Sequence, residues 1–466
     1  MKVVLAGFNV EAAILEGARE RFGDAVSPEV ISAAYARISR DPRGIGALRG
    51  EARREVEKAR RSNERIVFGF GHASVAEHAV LNIDVTGISR LAVEGIEHFR
   101  LASFTEKSQR YVRLGRDMVT PVEFKRAGID RELRRLVLSL QRAYEEAMQR
   151  FSAAGIDAGS AREDARYLMP LATSTQLGMT VNARELEYMV RAVSTHPLEE
   201  LRAFGVKAYR MAKEHIPSLV RYPAPTEHAI DVVPARRRIE RSVRALLSGA
   251  ARASALVRLI DATPAADERI AACVIFSSGR TTMEQAARAA ARLSRPALER
   301  LVASTMQHLG ARDGVWREFE SVQFLYEIVV SASCYAQLKR HRIATLIPQR
   351  YDLSLGISTP ETFRRAKAAR LLKEAAAEAA RLYRAHERDL GIAAEYALTN
   401  AHRRRVLLAL NLRELYHFSR LRSDMSAQWE IREVSDEMCR LAYRKAPAAA
   451  ALLGGKDRFE DLRVGD

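Results

Sequence analysis

The sequence predicts a mixed fold of helices and strands, built twice in tandem. Three observations carry this. First, SRLAVEGIEHFRLASFTEKSQRYV, around residue 100, and SASCYAQLKRHRIATLIPQRYD, around residue 340, are diverged copies of one another. Second, each is followed by another matched segment, TVNARELEYMV from Thr180 and ALNLRELYHFS from Ala409. Their Asn-x-Arg-Glu-Leu cores begin at Asn182 and Asn411, 229 positions apart in a chain of 466 residues. Self-similarity at so long a period marks a duplicated domain. Third, the segment from Ile216 carries Pro217, Pro223, Pro225 and Pro234 without a helical period, which predicts a linker. The expected boundaries are 1–220 for the first copy, 221–240 for the linker and 241–466 for the second copy, which opens near SVRALLSG.

The elements follow in order. The chain opens with a short apolar strand in MKVVLAGF. The start lacks a long apolar stretch and a small-residue cleavage site, which predicts a mature cytoplasmic protein. Apolar residues recur three and four apart over 28–40, 46–68, 130–154, 197–214, 282–309, 360–386 and 426–444, and helices are expected there. Residues 80–86 alternate, and 324–330 are rich in β-branched and aromatic residues, so both are expected as strands. Each strand runs into a short helix, 89–99 or 331–340, that delivers charged residues to a loop ending in Gln-Arg-Tyr. No apolar run is long enough to cross a bilayer.

Lys and Arg number 75 against 58 Asp and Glu, a net charge of +17. That excess suits polyanionic ligands: nucleotides, dinucleotide cofactors, polyglutamylated folates or nucleic acid. Much of it sits in runs such as EARREVEKARRSNER and AHRRRV, which read as solvated helix faces. Cys273, Cys334 and Cys439 lie far apart and support neither a disulfide framework nor a zinc site. His72 and His78 flank Ser74 and Glu77, but a spacing of six puts the two rings on different helix faces, so no metal site is expected. The chain has no Gly-x-Ser-x-Gly elbow and no Gly-rich phosphate loop, which leaves little support for a hydrolase or P-loop enzyme. Arg340-His341-Arg342 offers paired guanidinium forks that suit a phosphate, although such a triplet is more often a solvated helix end.

Taken together, HASVAEH, ISR, Arg100, ASFTEKSQRYV, ARYLMPLATSTQLGMTVNAREL and NLRELYHFSRLRSDMSAQWEI resemble flavin-dependent thymidylate synthase, present twice. The resemblance is strongest over 65–112 and 162–188, and over 330–342 and 409–435. It implies an α+β fold, each copy an antiparallel sheet flanked by helices. The family signature is Arg-His-Arg, seven residues, Ser, then Arg-Tyr. The second copy keeps Arg340-His341-Arg342, but its loop is two residues shorter and ends in Gln349-Arg350-Tyr351 without the Ser. In the first copy the triplet is His98-Phe99-Arg100, while Glu106, Ser108, Arg110 and Tyr111 keep the spacing. The Gln before the signature is Gln337 in the second copy and Gly95 in the first. The substrate-side Arg matches Arg166, with Glu395 opposite. The ring-ionising Arg matches Arg422, with Val193 opposite, and the flavin-side His matches His417, with Tyr188 opposite. DGVWREF, the second-copy counterpart of 72–78, has lost both histidines.

What the resemblance implies is reductive methylation of dUMP to dTMP, with FAD as cofactor and methylenetetrahydrofolate and NADPH as co-substrates. Gln337, Arg340, Glu106, Lys107, Ser108, Gln109, Arg110 and Arg166 would take dUMP. Ser74, Arg340, His341, Arg342, Glu106 and His417 would take FAD, joined by Asn182, Arg184, Asn411 and Arg413. Those last four suit helix capping and pairing equally well. Arg422 would be the catalytic group, stabilising charge on the uracil ring. In the family, sites lie between subunits of a homotetramer, and the residues each copy retains divide along that line. This implies composite sites built from both domain types, in a homodimer that imitates a tetramer of domains. Two other readings are compatible with the residues: a non-catalytic nucleotide- or flavin-binding relative, and a flavin-dependent methyltransferase acting on uracil in RNA or on another pyrimidine. Arg110 and Arg166 favour a free 5′-monophosphate over nucleic acid.

Overall fold

The computed structural model describes residues 9–23, 26–37, 45–69, 72–110, 117–221, 224–243, 246 and 255–464. Its frame is two antiparallel sheets, one in each half. In the first, β1 (Val80–Ser89), β2 (Ala102–Glu106) and β3 (Ser174–Asn182) pair in the order β1-β3-β2. In the second, β4 (Val257–Ala262), β5 (Gln323–Ser331), β6 (Thr345–Tyr351) and β7 (Arg403–Asn411) pair in the order β4-β5-β7-β6. Four helices also recur. After β1 and β5 come α1 (Arg90–Ile96) and α5 (Ala332–Leu338); the long helices are α2 (Asp130–Ala153) and α6 (Ala369–Leu390). After β3 and β7 come α3 (Ala183–Val193) and α7 (Leu412–Arg422), then α4 (Glu199–His215) and α8 (Trp429–Tyr443). The fold is α+β in two tandem copies, as the sequence predicts.

The same caps start the same helices in both copies. Ser89 Oγ accepts from Ala92 N (3.0 Å) and Ser331 Oγ from Cys334 N (3.1 Å). Asn182 accepts from Glu185 N (2.9 Å) and Asn411 from Glu414 N (2.8 Å). Each cap satisfies one of the donors a helix leaves open at its first turn.

The halves face one another across an approximate two-fold axis. Leu171 N donates to Leu398 O (2.8 Å) and Asn400 N to Met169 O (2.9 Å), one bond made twice with roles exchanged. Likewise Tyr167 donates to Glu430 (2.8 Å) and Tyr396 to Glu200 (2.7 Å). Glu97 and Lys339 are equivalent positions, and they pair with each other at 3.0 Å, buried. The first hydrophobic core, through Leu140, Tyr144, Phe151 and Leu186, runs on into Leu372, Ala379 and Tyr396 of the second half. A second core, around Phe324, Tyr326, Phe418 and Ile431, fills the other sheet.

Several elements differ from expectation. The stretch 46–68 is two helices, Ile45–Arg54 and Val56–Glu64, then a π-helical turn Arg65–Gly69. The stretch 282–309 breaks into Met283–Ala291 and Arg295–Ser304, because the Pro296 ring would clash with the carbonyl four residues back. The stretch 360–386 breaks between Glu361–Arg365 and α6, where Lys367 turns left-handed at φ 53°. AHRRRV is no helix face: Arg403, Arg404 and Arg405 open β7, and the latter two are buried. The segment read as a non-helical linker carries a helix, Glu227–Val243, with Pro234 inside it and no buried residue. Thr226 caps it and Asp231 pairs with Arg238 at 2.7 Å, local signals that the count of prolines hides. The opening apolar strand, residues 38–40 of the first expected helix, and most of SVRALLSG lie outside the described residues. No helix among the described residues is long and apolar enough to cross a membrane.

Candidate functional site

Residues retained by the two copies meet within one chain, Ser74 excepted. The first-copy loop leaves β2 beside the second half. Glu106, buried, pairs with Arg90. Lys107 is exposed, and its N donates to Gln176 O (2.9 Å). Ser108 Oγ accepts from Arg110 N (3.1 Å). Gln109 is buried and accepts from Asn400 of the second half (3.1 Å). Arg110 pairs with Glu163 and donates to Ser426 O (3.0 Å), again across the halves. Tyr111 lies outside the described residues.

Arg166 opens the helical turn Arg166–Leu168, and its carbonyl accepts from Asn400 (2.9 Å). Its side chain is 4 % exposed, yet Nε and Nη2 have no hydrogen-bond partner. Burial lowers its pKa, and Arg110 and Arg90 add to that against Tyr167 and Glu163. A buried guanidinium left part-unpaired is unfavourable, and an anion would satisfy it.

On the second-copy side α5 ends at Leu338, so Arg340-His341-Arg342 forms a turn beyond the helix. Arg340 is exposed and Arg342 half-buried, whereas His341 points inward and is 4 % exposed. Arg422, the last residue of α7, donates from Nε to His341 Nε2 (2.8 Å) and from Nη2 to Gln337 O (3.3 Å). Burial brings its pKa down to about 10, helped by Arg340 and Arg110. First-copy Arg110 therefore acts on second-copy Arg422 within one chain. The Gln337 amide donates to Gln428 (3.3 Å), which donates to Tyr167 OH (2.8 Å). His417 is exposed, its ring 5.9 Å from that of His341.

The remaining sequence-predicted residues are held elsewhere. Ser74 is exposed on the turn Ala73–His78. Asn182 and Asn411 cap α3 and α7; Arg184 pairs with Glu77, and Arg413 donates to Val315 O (2.9 Å) and Glu320 (3.0 Å). All four therefore cap or pair in the structure. Sequence reading missed Arg90, Glu163, Asn400, Gln428 and Glu430. Arg90, Gln428 and Glu430 lie inside quoted motifs, but nothing local marks the buried contacts they make. An open groove of about 430 Å³ between α2 and α6, lined by Ser139, Arg142, Glu378 and Arg381 among others, shares none of these residues.

The sequence model of the family described as "Thymidylate synthase complementing protein" matches residues 24–218 and again 258–448. The chain belongs to this family. Its relatives include the UPF0159 protein Ta1429 of Thermoplasma acidophilum, 23% identical over 89% of this chain and 92% of its own length. The flavin-dependent thymidylate synthases of Geobacter sulfurreducens and Pyrococcus furiosus are each 32% identical. Those alignments take in 34% and 26% of this chain, and 67% and 49% of theirs.

Duplication of a domain of this family leaves a second, pseudo-equivalent position in the chain, and there the equivalent residues pair with one another. Glu395 stands where Arg166 stands, and Arg350 where Arg110 stands. Glu395 is 1 % exposed and accepts from Arg350 Nε (2.9 Å). Arg404 lies 3.7 Å from it, pairs with Glu94 at 3.0 Å and stacks over Tyr351 (3.7 Å). Where the first site has Gln337, this one has Gly95; a Cβ there would lie 2.5 Å from Leu201 Cδ1. The carboxylate of Glu395 thus answers the guanidinium of Arg350, where the first copy has Arg166 beside Arg110.

Proposed function

We propose that this chain is a flavin-dependent thymidylate synthase, converting dUMP to dTMP with FAD, methylenetetrahydrofolate and NADPH, at one composite site per chain. The observation that carries the reading is Arg166, almost wholly buried with two nitrogens unpaired, in the same cluster as Arg110. Such a cluster is unfavourable at low dielectric until an anion joins it, and a 5′-phosphate presents its oxygens to guanidinium forks. Arg110, with Ser108 and the loop backbone around Lys107 and Gln109, would share the phosphate with Arg166. Gln337 and Arg340 would hold the base side. Arg422 would stabilise negative charge at N3 and O2 of the uracil, making C5 more electron-rich.

The donor set fits FAD as well. Exposed Arg340 and His417 and half-buried Arg342 can pair with a pyrophosphate and with flavin ring edges. Ser74, Glu106, Asn182, Arg184, Asn411 and Arg413 are proposed as outer contacts of the same cofactor. Bound FAD would carry the one-carbon unit and supply the reducing equivalents, which NADPH restores. No thiol is needed: burial pushes Cys334 well up, so it stays protonated. The proposed assembly is a cytoplasmic homodimer of four domains and two sites.

Methylation at C5 displaces the hydrogen there, so the test is tritium release from 5-tritiated dUMP by flavin-loaded protein with both co-substrates. The expected result is release together with dTMP. A protein that binds dUMP but never turns it over would be a non-catalytic relative, and methylation of uridine in RNA with dUMP untouched would make it an RNA enzyme.

A further inference from the structure

Glu414, Phe418 and Arg422 are spaced four apart on α7, so they line one face of the helix. His341 lies along that line. Its Nδ1 is 3.3 Å from Glu414 Oε1, its ring centroid 4.4 Å from that of Phe418, and its Nε2 2.8 Å from Arg422 Nε. Glu414 is 6 % exposed, and its backbone is pinned by the Asn411 cap.

The chemistry of these contacts fixes the proton. A guanidinium N–H only donates, so His341 Nε2 must accept and cannot carry hydrogen. The ring is then the neutral Nδ1–H tautomer, and Nδ1–H donates to Glu414. Burial, with Arg422 and His417 adding to it, holds His341 well below the usual histidine range, in line with that neutral form. Arg422 Nη2 is tied to the Gln337 carbonyl at 3.3 Å, so two edges of the guanidinium are anchored to the protein.

The first copy offers an internal control. Glu185, Phe99 and Val193 stand at the positions of Glu414, His341 and Arg422. The histidine and the arginine are absent together, and the carboxylate that remains accepts from Leu101 N instead (3.4 Å).

We infer that Glu414 and His341 are positioning residues for the proposed reaction: the carboxylate selects the histidine tautomer, and the histidine aims the Arg422 guanidinium. This rests on the role given to Arg422 above. It also moves His341 from cofactor contact to support of the catalytic group.

The test has two arms. Ring nitrogen NMR of selectively labelled histidine, with the signal assigned by its loss in His341→Gln, reads the tautomer without any turnover. The expected wild-type signature is protonated Nδ1 and bare Nε2, shifted toward the other tautomer in Glu414→Leu and kept in Glu414→Gln. In the second arm, Glu414→Leu and His341→Phe should lower kcat by about tenfold or more while KM for dUMP stays within about twofold. His341→Gln, whose amide can still accept from Arg422 and donate to Glu414, should recover most of the rate. A wild-type ring protonated on Nε2, or unchanged kcat in Glu414→Leu, would overturn the relay. If the wild type makes no dTMP, the proposed reaction fails and the tautomer still decides the relay.

Discussion

Arg166 and Glu395 occupy equivalent positions and meet the same burial in opposite ways. Glu395 is answered by Arg350 and Arg404, whereas Arg166 keeps two nitrogens unanswered. A cation held that way destabilises the ligand-free fold and is relieved on binding. Arg166→Met should therefore raise the stability of the ligand-free protein while weakening dUMP binding at least about tenfold. Denaturant unfolding and calorimetric titration check both halves, and loss of stability would mark Arg166 as a structural residue. His402 gives a pH test. Its Nδ1 accepts from Thr399 N (3.0 Å) beside the two-fold axis, and burial brings its pKa down from 6.5 to about 4. Between those values the unfolded chain binds the proton and the folded chain does not, so its contribution to stability falls as pH drops from 6.5 toward 4. Relative to His402→Asn, which can still accept from Thr399 but cannot titrate, the wild type should lose about 3 kcal/mol across that window. Equal unfolding midpoints at pH 7 and pH 4, measured as differences from the variant, would contradict this.

At the scale of elements, α5 carries Gln337 and leads into the Arg-His-Arg turn, so its start matters more than its length. Ser331 caps it and donates its hydroxyl to Glu430, and its N donates to Glu430 as well (3.0 Å). Ser358 and Tyr167 donate to the same carboxylate, at 2.6 and 2.8 Å. Ser331→Ala removes the cap and one donor to a buried charge, which should cost about 2–3 kcal/mol in urea unfolding. A loss under about 1 kcal/mol would mean Glu430 is satisfied without it. The strands feeding these helices were legible for 80–86 and 324–330 because their side chains alternate or are β-branched. β2 and β6 were not. They read as polar or basic loops and become strands only by pairing with β3 and β7, a non-local condition that no short window contains.

For the whole molecule, the paired equivalents Glu97 and Lys339 favour a first copy against a second copy. In a pairing of two first copies or of two second copies, like charges would meet in a buried site. Contacts from Arg110 to Ser426 and from Asn400 to Gln109 bring the retained residues of both copies together within one chain. Coexpressed Arg110→Ala and Arg422→Ala chains, purified as mixed assemblies through two tags, are expected to be no more active than either variant alone. Recovery to about half of wild type would mean that sites are shared between chains.

The duplication, the α+β class, the family resemblance and the polar residues each copy keeps could all be read before folding. All of these are matters of residue identity at fixed spacing. Tertiary structure decided what those residues do. Gln337 and Arg422 are 85 positions apart and are joined by the fold of the second half, whereas Arg110 and Ser426 are 316 apart and are joined only by the two-fold arrangement of the halves. The inward turn of His341, the unpaired nitrogens of Arg166 and the pairing of Glu395 with Arg350 all depend on burial. Burial is set by what packs against a residue from far away in the chain.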